Sequence, residues 1–150
     1  MDVGPRVERI PRNEDVVIGV LANPRKSALL SVDTRIEVIR AALADARGPR
    51  LDTVRVESFD GLTVDFCRAN RATAIVRGLR AISDFETEMQ LAHNNRVLAP
   101  AVDTVFFMTS VENGYVSSSL VKEIASFGGD VAGMIPAAAQ GPLREALERR

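Results

Sequence analysis

Short apolar segments alternate along this chain with longer segments in which apolar residues recur at helical spacing. Residues 16–22 form a continuous Val/Ile-rich run, which is typical of a strand covered on both faces. Ser31 is placed to cap a helix that ends before Gly48 and Pro49. The apolar positions of this helix follow its period: Val32, Ile36, Ile39 and Leu43. The first third of the chain therefore predicts a buried strand followed by an amphipathic helix.

The same rhythm continues to the end of the chain. Residues 52–58 alternate apolar and polar side chains, which predicts a strand nearer the sheet edge, and 73–76 and 102–108 predict buried strands. Four further helices are predicted at 62–70, from Ser83 to about Val97, from the Ser117 run to Gly128, and at 143–149. Strands that alternate with helices at these lengths predict an α/β fold: a doubly wound, mostly parallel, Rossmann-like sheet with helices on both faces.

Length and composition restrict the class of protein. The 150 residues, 46% hydrophobic and 26% charged, indicate a single domain over 15–150. Residues 1–14 are expected to be irregular because Pro5 and Pro11 would interrupt a helix. A net charge of -1 argues against nucleic-acid binding. Without an apolar run long enough for a membrane span or a signal peptide, we expect a cytoplasmic chain that does not bind membranes.

Two residue types that often carry chemistry occur once each. Cys67 cannot form an internal disulfide or a multi-cysteine zinc site, and we expect it to be a small buried residue. His93 falls in the middle of a predicted helix, away from the strand ends, which favours a structural or interface role over catalysis. A metal, if used, would have to be held by oxygen ligands.

Polar and basic residues follow the predicted strands at the points where they end. In an open parallel sheet these points share one edge, where ligands bind. Lys26, Arg77 and Arg80 are the cations at this edge, and the helix that starts at the Ser117 run offers free N–H groups suited to phosphate. Surface arginines usually form modest ion pairs, so it is their strand-end position that favours a role in anion binding. Neither GxGxxG nor GxxxxGK[ST] occurs, which argues against a Rossmann dehydrogenase or a P-loop NTPase.

Several of these segments together resemble one known family, the bacterial phosphopantetheine adenylyltransferases of the HxGH nucleotidyltransferase superfamily. The resemblance is carried by NPRK at 23–26, AIVRGLRAISDFE at 74–86, EMQLA at 88–92, VSSSLVKE at 116–123 and GGDV at 128–131. It implies transfer of AMP from ATP to 4'-phosphopantetheine, which yields dephospho-coenzyme A and pyrophosphate. It also implies Mg²⁺ with the ATP, a cytoplasmic homohexamer, and no nucleic-acid partner.

The resemblance also implies site residues. Lys26, Thr63 and Arg77 would contact phosphopantetheine. The ATP site would comprise two groups of residues: Gly78, Leu79, Arg80 and Glu88, and then Asn113, Gly114, Tyr115, Val116, Ser117, Ser118 and Ser119, which would close over the nucleotide. Phe106, Phe107 and Met108 are expected in the core or at a subunit contact rather than under adenine.

One family feature is not matched by this sequence. The family opens with a strand and a T/HxGH turn, roughly PGxFDPxTxGH, that supplies a transition-state histidine, and no such motif occurs here. The resemblance therefore implies no catalytic residue, and low activity is expected. The first, central strand would be missing from the sheet, which predicts unpaired strand edges and a poorly stable or aggregation-prone chain. The alternative is a catalytically inactive homologue that still binds ATP, coenzyme A or related subunits.

Overall fold

Strands and helices alternate in the computed structural model, which describes residues 15–23, 28–48, 50–80 and 82–149. In chain order the elements are β1 (Val17–Leu21), α1 (Val32–Asp45), β2 (Arg55–Phe59), α2 (Thr63–Ala69), β3 (Ala74–Leu79), α3 (Ile82–Leu98), β4 (Asp103–Met108), α4 (Ser118–Ser126) and α5 (Ala137–Glu148). Both strand pairs are parallel, so the predicted α/β class is confirmed. No helix in the described part of the chain is long and apolar enough to cross a membrane. The predicted irregular segment 1–14 lies outside the described residues.

Several element bounds differ from the sequence prediction. β2, predicted over 52–58, spans Arg55–Phe59, and Leu51–Thr53 form a 3-10 turn before it. β3 continues through Arg77 and Gly78 to Leu79, because these residues stay in register with β4 instead of turning after Val76. α3 begins at Ile82, before the predicted start at Ser83. α5 includes Gly141 and Pro142, and it begins six residues before the predicted 143–149 helix. Buried Leu143 and Ala146 anchor α5, so tertiary packing outweighs its two helix-breaking residues.

The four strands form two separate two-stranded sheets, β1 with β2 and β3 with β4, in the described part of the chain. Directly after β1, the N–H of Ala22 donates to Phe59 O at 2.7 Å, and directly before it, Val16 O accepts from the N–H of Arg55 at 2.9 Å. The backbone groups of the even-numbered residues of β1 thus point toward β2. Those of the odd-numbered residues, such as Gly19, point to the opposite edge.

In β3 the odd-numbered residues, rather than the even-numbered ones, carry the backbone groups that bond to the partner strand. Thr73 O accepts from the N–H of Asp103 at 2.9 Å, and Leu79 O accepts from Thr109 at 2.8 Å. The backbone groups of odd-numbered residues of β3 therefore point toward β4. No strand in the described part of the chain pairs with the other edge of β3, where the backbone groups of Val76 and its even-numbered neighbours lie, and we call this the open edge. Within the described residues, β1 and β3 share no neighbouring strand.

Helix α2 packs against both sheets. The Phe66 ring stacks on Phe59 of β2 with centroids 4.4 Å apart, and a Cβ added at Gly19 of β1 would lie 2.8 Å from Phe66 Cε1. Val64 and Cys67, on the same helix, are buried with Ala99 and Val102 against Ile75 of β3. The small Gly19 and the apolar face of α2 thus hold the two sheets together.

Helices α4 and α5 enclose a second core around Val121 and Leu143. The predicted cap of α4 is confirmed, because Ser117 Oγ accepts from the N–H of Leu120 at 3.2 Å. The helix ends where Gly128 adopts φ +78° and the N–H of Gly129 donates to Ile124 O at 2.9 Å, as predicted from the paired glycines. Both ends of α4 are therefore fixed by local sequence.

Gly128→Ala is expected to lower the free energy of unfolding by about 1 kcal/mol, because the left-handed conformation disfavours a Cβ. The added methyl group would meet no atom within 4 Å, so the cost is conformational rather than steric. Gly133→Ala is the matched control: it also adds a methyl group in open space, but at an ordinary φ. Urea denaturation of both variants measures the difference, and equal stabilities would contradict this explanation of the helix end.

Candidate functional site

A cleft of about 410 Å³ runs along the open edge of β3 and the first half of α3. Six of the described residues line it: Val76, Arg77, Gly78, Arg80, Thr87 and Glu88. We call this the β3 cleft. It lies where the last residues of β3 meet the second turn of α3, beside the edge of β3 that has no neighbouring strand among the described residues. The sequence singled out four of the six; Val76 and Thr87 carry no signal that distinguishes them from core and surface residues.

Arg77 and Glu88 form a two-point ion pair in the β3 cleft. Arg77 Nε donates to Glu88 Oε2 at 2.7 Å, and Arg77 Nη2 donates to Oε1 of the same carboxylate. The Glu88 side chain is 15% exposed and the Arg77 side chain 46%. The hydrogen bond to Glu88 raises the pKa of Arg77 above its usual value, so the guanidinium stays charged at every working pH.

Arg80 connects the end of β3 to the start of α4. Its Nη1 donates to Val116 O at 2.9 Å, directly before the capping residue Ser117. Two segments that are 36 residues apart in the chain thereby meet at one rim of the molecule. A positive guanidinium beside a helix N-terminus is a favourable environment for an anion, since the N–H groups and the cation act on the same charge.

The remaining predicted site residues are less closely grouped. Thr63 begins α2, and Asn113 Nδ2 donates to Ser110 Oγ at 3.1 Å in the turn after β4. Leu79 is buried and its carbonyl is bonded to Thr109, so its side chain does not reach the β3 cleft. Tyr115 is 81% exposed. Four other predicted residues lie beside these or start α4: Gly114, Val116, Ser118 and Ser119. Lys26 lies outside the described residues.

His93 and Cys67 are separate from the β3 cleft. His93 lies on α3 and does not line the cleft. Cys67 is 5% exposed, and burial raises the pKa of its thiol, which leaves it a poor nucleophile. This agrees with the sequence interpretation of Cys67 as a small core residue. Of the predicted core or contact residues, Phe106 is partly buried, whereas Phe107 and Met108 are exposed.

Comparison with known proteins identifies the family. The family model described as cytidylyltransferase-like matches residues 8–124. The phosphopantetheine adenylyltransferase of Heliobacterium modesticaldum is 47% identical over 145 residues, which cover 97% of this chain and 82% of that protein. The protein of the same name from Thermosynechococcus vestitus is 49% identical over 82% of this chain and 70% of its own length. The phosphopantetheine adenylyltransferase of Geobacter sulfurreducens is 44% identical over 97% of this chain and 84% of that protein. The chain belongs to the phosphopantetheine adenylyltransferases, a family of cytidylyltransferase-like nucleotidyltransferases.

Proposed function

We propose that this chain binds ATP and 4'-phosphopantetheine in the β3 cleft and transfers AMP between them, which forms dephospho-coenzyme A and pyrophosphate. The observation that carries this proposal is the bond from Arg80 Nη1 to Val116 O, because it brings the β3 cations beside the start of α4. Both substrates are anionic at the reacting centre. A cleft lined by two arginines next to a helix N-terminus provides the charge that such a reaction requires.

The proposed reaction requires no general base, because the attacking group is already ionised. A phosphate oxygen of phosphopantetheine, already ionised, attacks the α-phosphorus of ATP; one P–O bond forms, and the bond to the β-phosphate breaks as pyrophosphate leaves with the electron pair. Positioning and charge neutralisation therefore supply the catalysis. In this proposal Arg77 orients the attacking phosphate, together with Lys26 and Thr63. Arg80 and the N–H groups at the start of α4 hold the triphosphate.

Magnesium fits this proposal as part of the nucleotide substrate. Among the described residues, Glu88 is the one carboxylate that lines the β3 cleft, and both of its oxygens accept hydrogen bonds from Arg77. The described residues contain no cluster of three potential ligands for a metal. Mg²⁺ usually binds through substrate phosphates with few protein ligands, so we propose that it enters with ATP.

Binding without efficient turnover is the second candidate function. It is favoured by the split sheet and by the position of His93, the single histidine of the sequence, outside the β3 cleft. Removal of one preorganised donor to transition-state charge typically costs about 10²- to 10³-fold in rate. A site whose cations and N–H groups bind the substrates, but which lacks such a donor, would retain affinity more readily than rate.

Pyrophosphate release separates the two candidates. The purified chain is incubated with ATP, Mg²⁺ and 4'-phosphopantetheine, and turnover within the usual enzyme range of about 1 to 10³ per second supports the transferase. Absence of turnover together with calorimetric binding of ATP or coenzyme A supports the second candidate. If the chain neither reacts nor binds, the assignment of the β3 cleft is wrong.

A further inference from the structure

We propose that Arg35 is a positioning residue for phosphopantetheine binding, and that it acts by fixing the carboxyl end of β1. From that end the chain continues toward Lys26, the contact with phosphopantetheine that is predicted in this segment. The inference rests on the proposed function and deepens it, because it assigns a task to an arginine that lies on α1 and does not line the β3 cleft.

The backbone of Arg35 is fixed by the capped first turn of α1. Ser31 Oγ accepts from the N–H of Thr34 at 3.1 Å, and the N–H of Arg35 donates to Ser31 O at 3.0 Å. The helix itself packs against β1, β2 and α5. The partly buried side chain of Arg35 therefore starts from a firmly held point beside the sheet.

The guanidinium of Arg35 bonds to the last carbonyl of β1. Its Nη2 donates to Leu21 O at 3.1 Å. Leu21 is an odd-numbered residue, so its carbonyl points to the edge of β1 that has no neighbouring strand among the described residues. A side chain from α1 thus supplies, at the point where β1 ends, the hydrogen bond that a neighbouring strand would otherwise provide.

A buried donor indicates that stability alone does not explain this arginine. Arg35 Nε is buried and has no hydrogen-bond acceptor in the described part of the chain. Buried donors are normally paired, because an unpaired one loses its hydration without a replacement bond. Methionine would fill a similar space without this cost. Exceptions of this kind are expected at functional sites, so the unpaired Nε agrees with a positioning role for Arg35.

Two restraints act on the chain where it leaves β1. The N–H of Ala22 donates to Phe59 O at 2.7 Å on the β2 side, and Leu21 O is held by Arg35 on the other side. Asn23 then continues outside the sheet. A binding segment that is ordered before its ligand arrives loses less free energy on binding. Removal of Arg35 would release one of the two restraints and lower the affinity for the ligand that this segment contacts.

The test compares Arg35→Met with a matched control, Arg40→Met, by calorimetric titration of the whole chain. Arg40 lies on the same helix and donates to Val56 O, also at 3.1 Å, but on the side of β2 that faces away from β1. We expect Arg35→Met to weaken 4'-phosphopantetheine binding about 10-fold, on the scale of the cost of ordering flexible groups at a binding site. Arg40→Met is expected to bind like the unaltered chain, and the ATP affinity of both variants is expected to stay unchanged.

Amide hydrogen exchange, measured by NMR without substrate, tests the positioning itself. In Arg35→Met we expect faster exchange at Ala22. The N–H of Arg55, which donates to Val16 O at the other end of the β1–β2 ladder, should stay as protected as before. Both methionine variants are expected to melt at the same temperature, because Arg35→Met also removes the buried, unpaired Nε.

Three results would overturn the role of Arg35. These are unchanged phosphopantetheine affinity or unchanged Ala22 exchange in Arg35→Met, an equal loss of affinity in Arg40→Met, and a lower melting temperature with faster exchange at both Ala22 and Arg55, which would make Arg35 a structural residue only. Equal binding of phosphopantetheine and pantetheine, which lacks the phosphate, by the unaltered chain would instead overturn the proposed function. In that case exchange at Ala22 would still show whether Arg35 fixes the end of β1.

Discussion

Arg80→Ala is expected to weaken ATP binding by about 10- to 100-fold. Hydrogen bonds to charged groups contribute about 1.5 to 3 kcal/mol each, and this substitution removes both the cation and its bond to Val116 O. The start of α4 would then lose its connection to the end of β3, so the N–H groups behind Ser117 would no longer be held beside the cleft. Phosphopantetheine binding is expected to change less, because Arg77 keeps its own partner.

Calorimetric titration with the non-hydrolysable ATP analogue AMPCPP measures this effect without turnover. Arg96→Ala is the matched control: like Arg80, Arg96 is exposed and donates to a backbone carbonyl, that of Pro100, but it lies far from the β3 cleft. Arg80→Lys separates charge from geometry, since lysine keeps the charge but lacks the fork. Affinity for the analogue within twofold of the unaltered chain in Arg80→Ala would show that Arg80 has no part in nucleotide binding.

We expect the chain to self-associate through one face of the β3–β4 sheet, which is exposed in the described part of the chain. Val76, Val105 and Phe107 lie together on this face and are 65%, 40% and 62% exposed. Ile75 and Leu79 point to the opposite face, where α2 and α3 pack. In a doubly wound fold both sheet faces are covered, so an apolar face of this kind favours contact with another chain. The homohexamer that the family resemblance implies stays a prediction.

Phe107→Lys is expected to shift the sedimentation profile toward the monomer and to reduce light scattering on heating. Because Phe107 is exposed, the stability of the monomer should change by no more than about 0.5 kcal/mol. Phe127→Lys is the matched control, since Phe127 is 86% exposed but lies after α4. If both lysine variants associate like the unaltered chain, this face is not the contact surface.

The low stability that the sequence predicts is tested by thermal melting of the unaltered chain. A cooperative transition at about 60 °C would contradict it.

Local sequence was sufficient to predict the caps of α1 and α4. Ser31 Oγ accepts from the N–H of Thr34 at 3.1 Å, as the capping pattern predicts, and Ser117 caps α4 in the same way. Gly128 takes the left-handed conformation that its place after an apolar helix indicates. These features depend on residues within a few positions of each other, so the sequence contains all the information that they need.

Features that depend on distant residues were only partly predictable. The end of β3 was placed too early because Arg77 and Gly78 extend the strand only through their pairing with β4. That Arg80 and the Ser117 helix approach one rim followed from strand direction, but the acceptor, Val116 O, did not. The Arg77–Glu88 pair links a strand to the next helix, and no periodic pattern predicts it. The roles of the site residues stay predictions.

The division of the strands into two parallel pairs has a consequence for local unfolding. A two-stranded ladder is marginal by itself, and here α2 is the element that packs against both. Amide protons of β1 and those of β3 should therefore exchange with solvent through separate opening events, with different free energies, rather than through one global transition. A truncation of Phe66 would selectively release the β1 amides, so the described part of the chain would behave as two foldons with α2 packed between them.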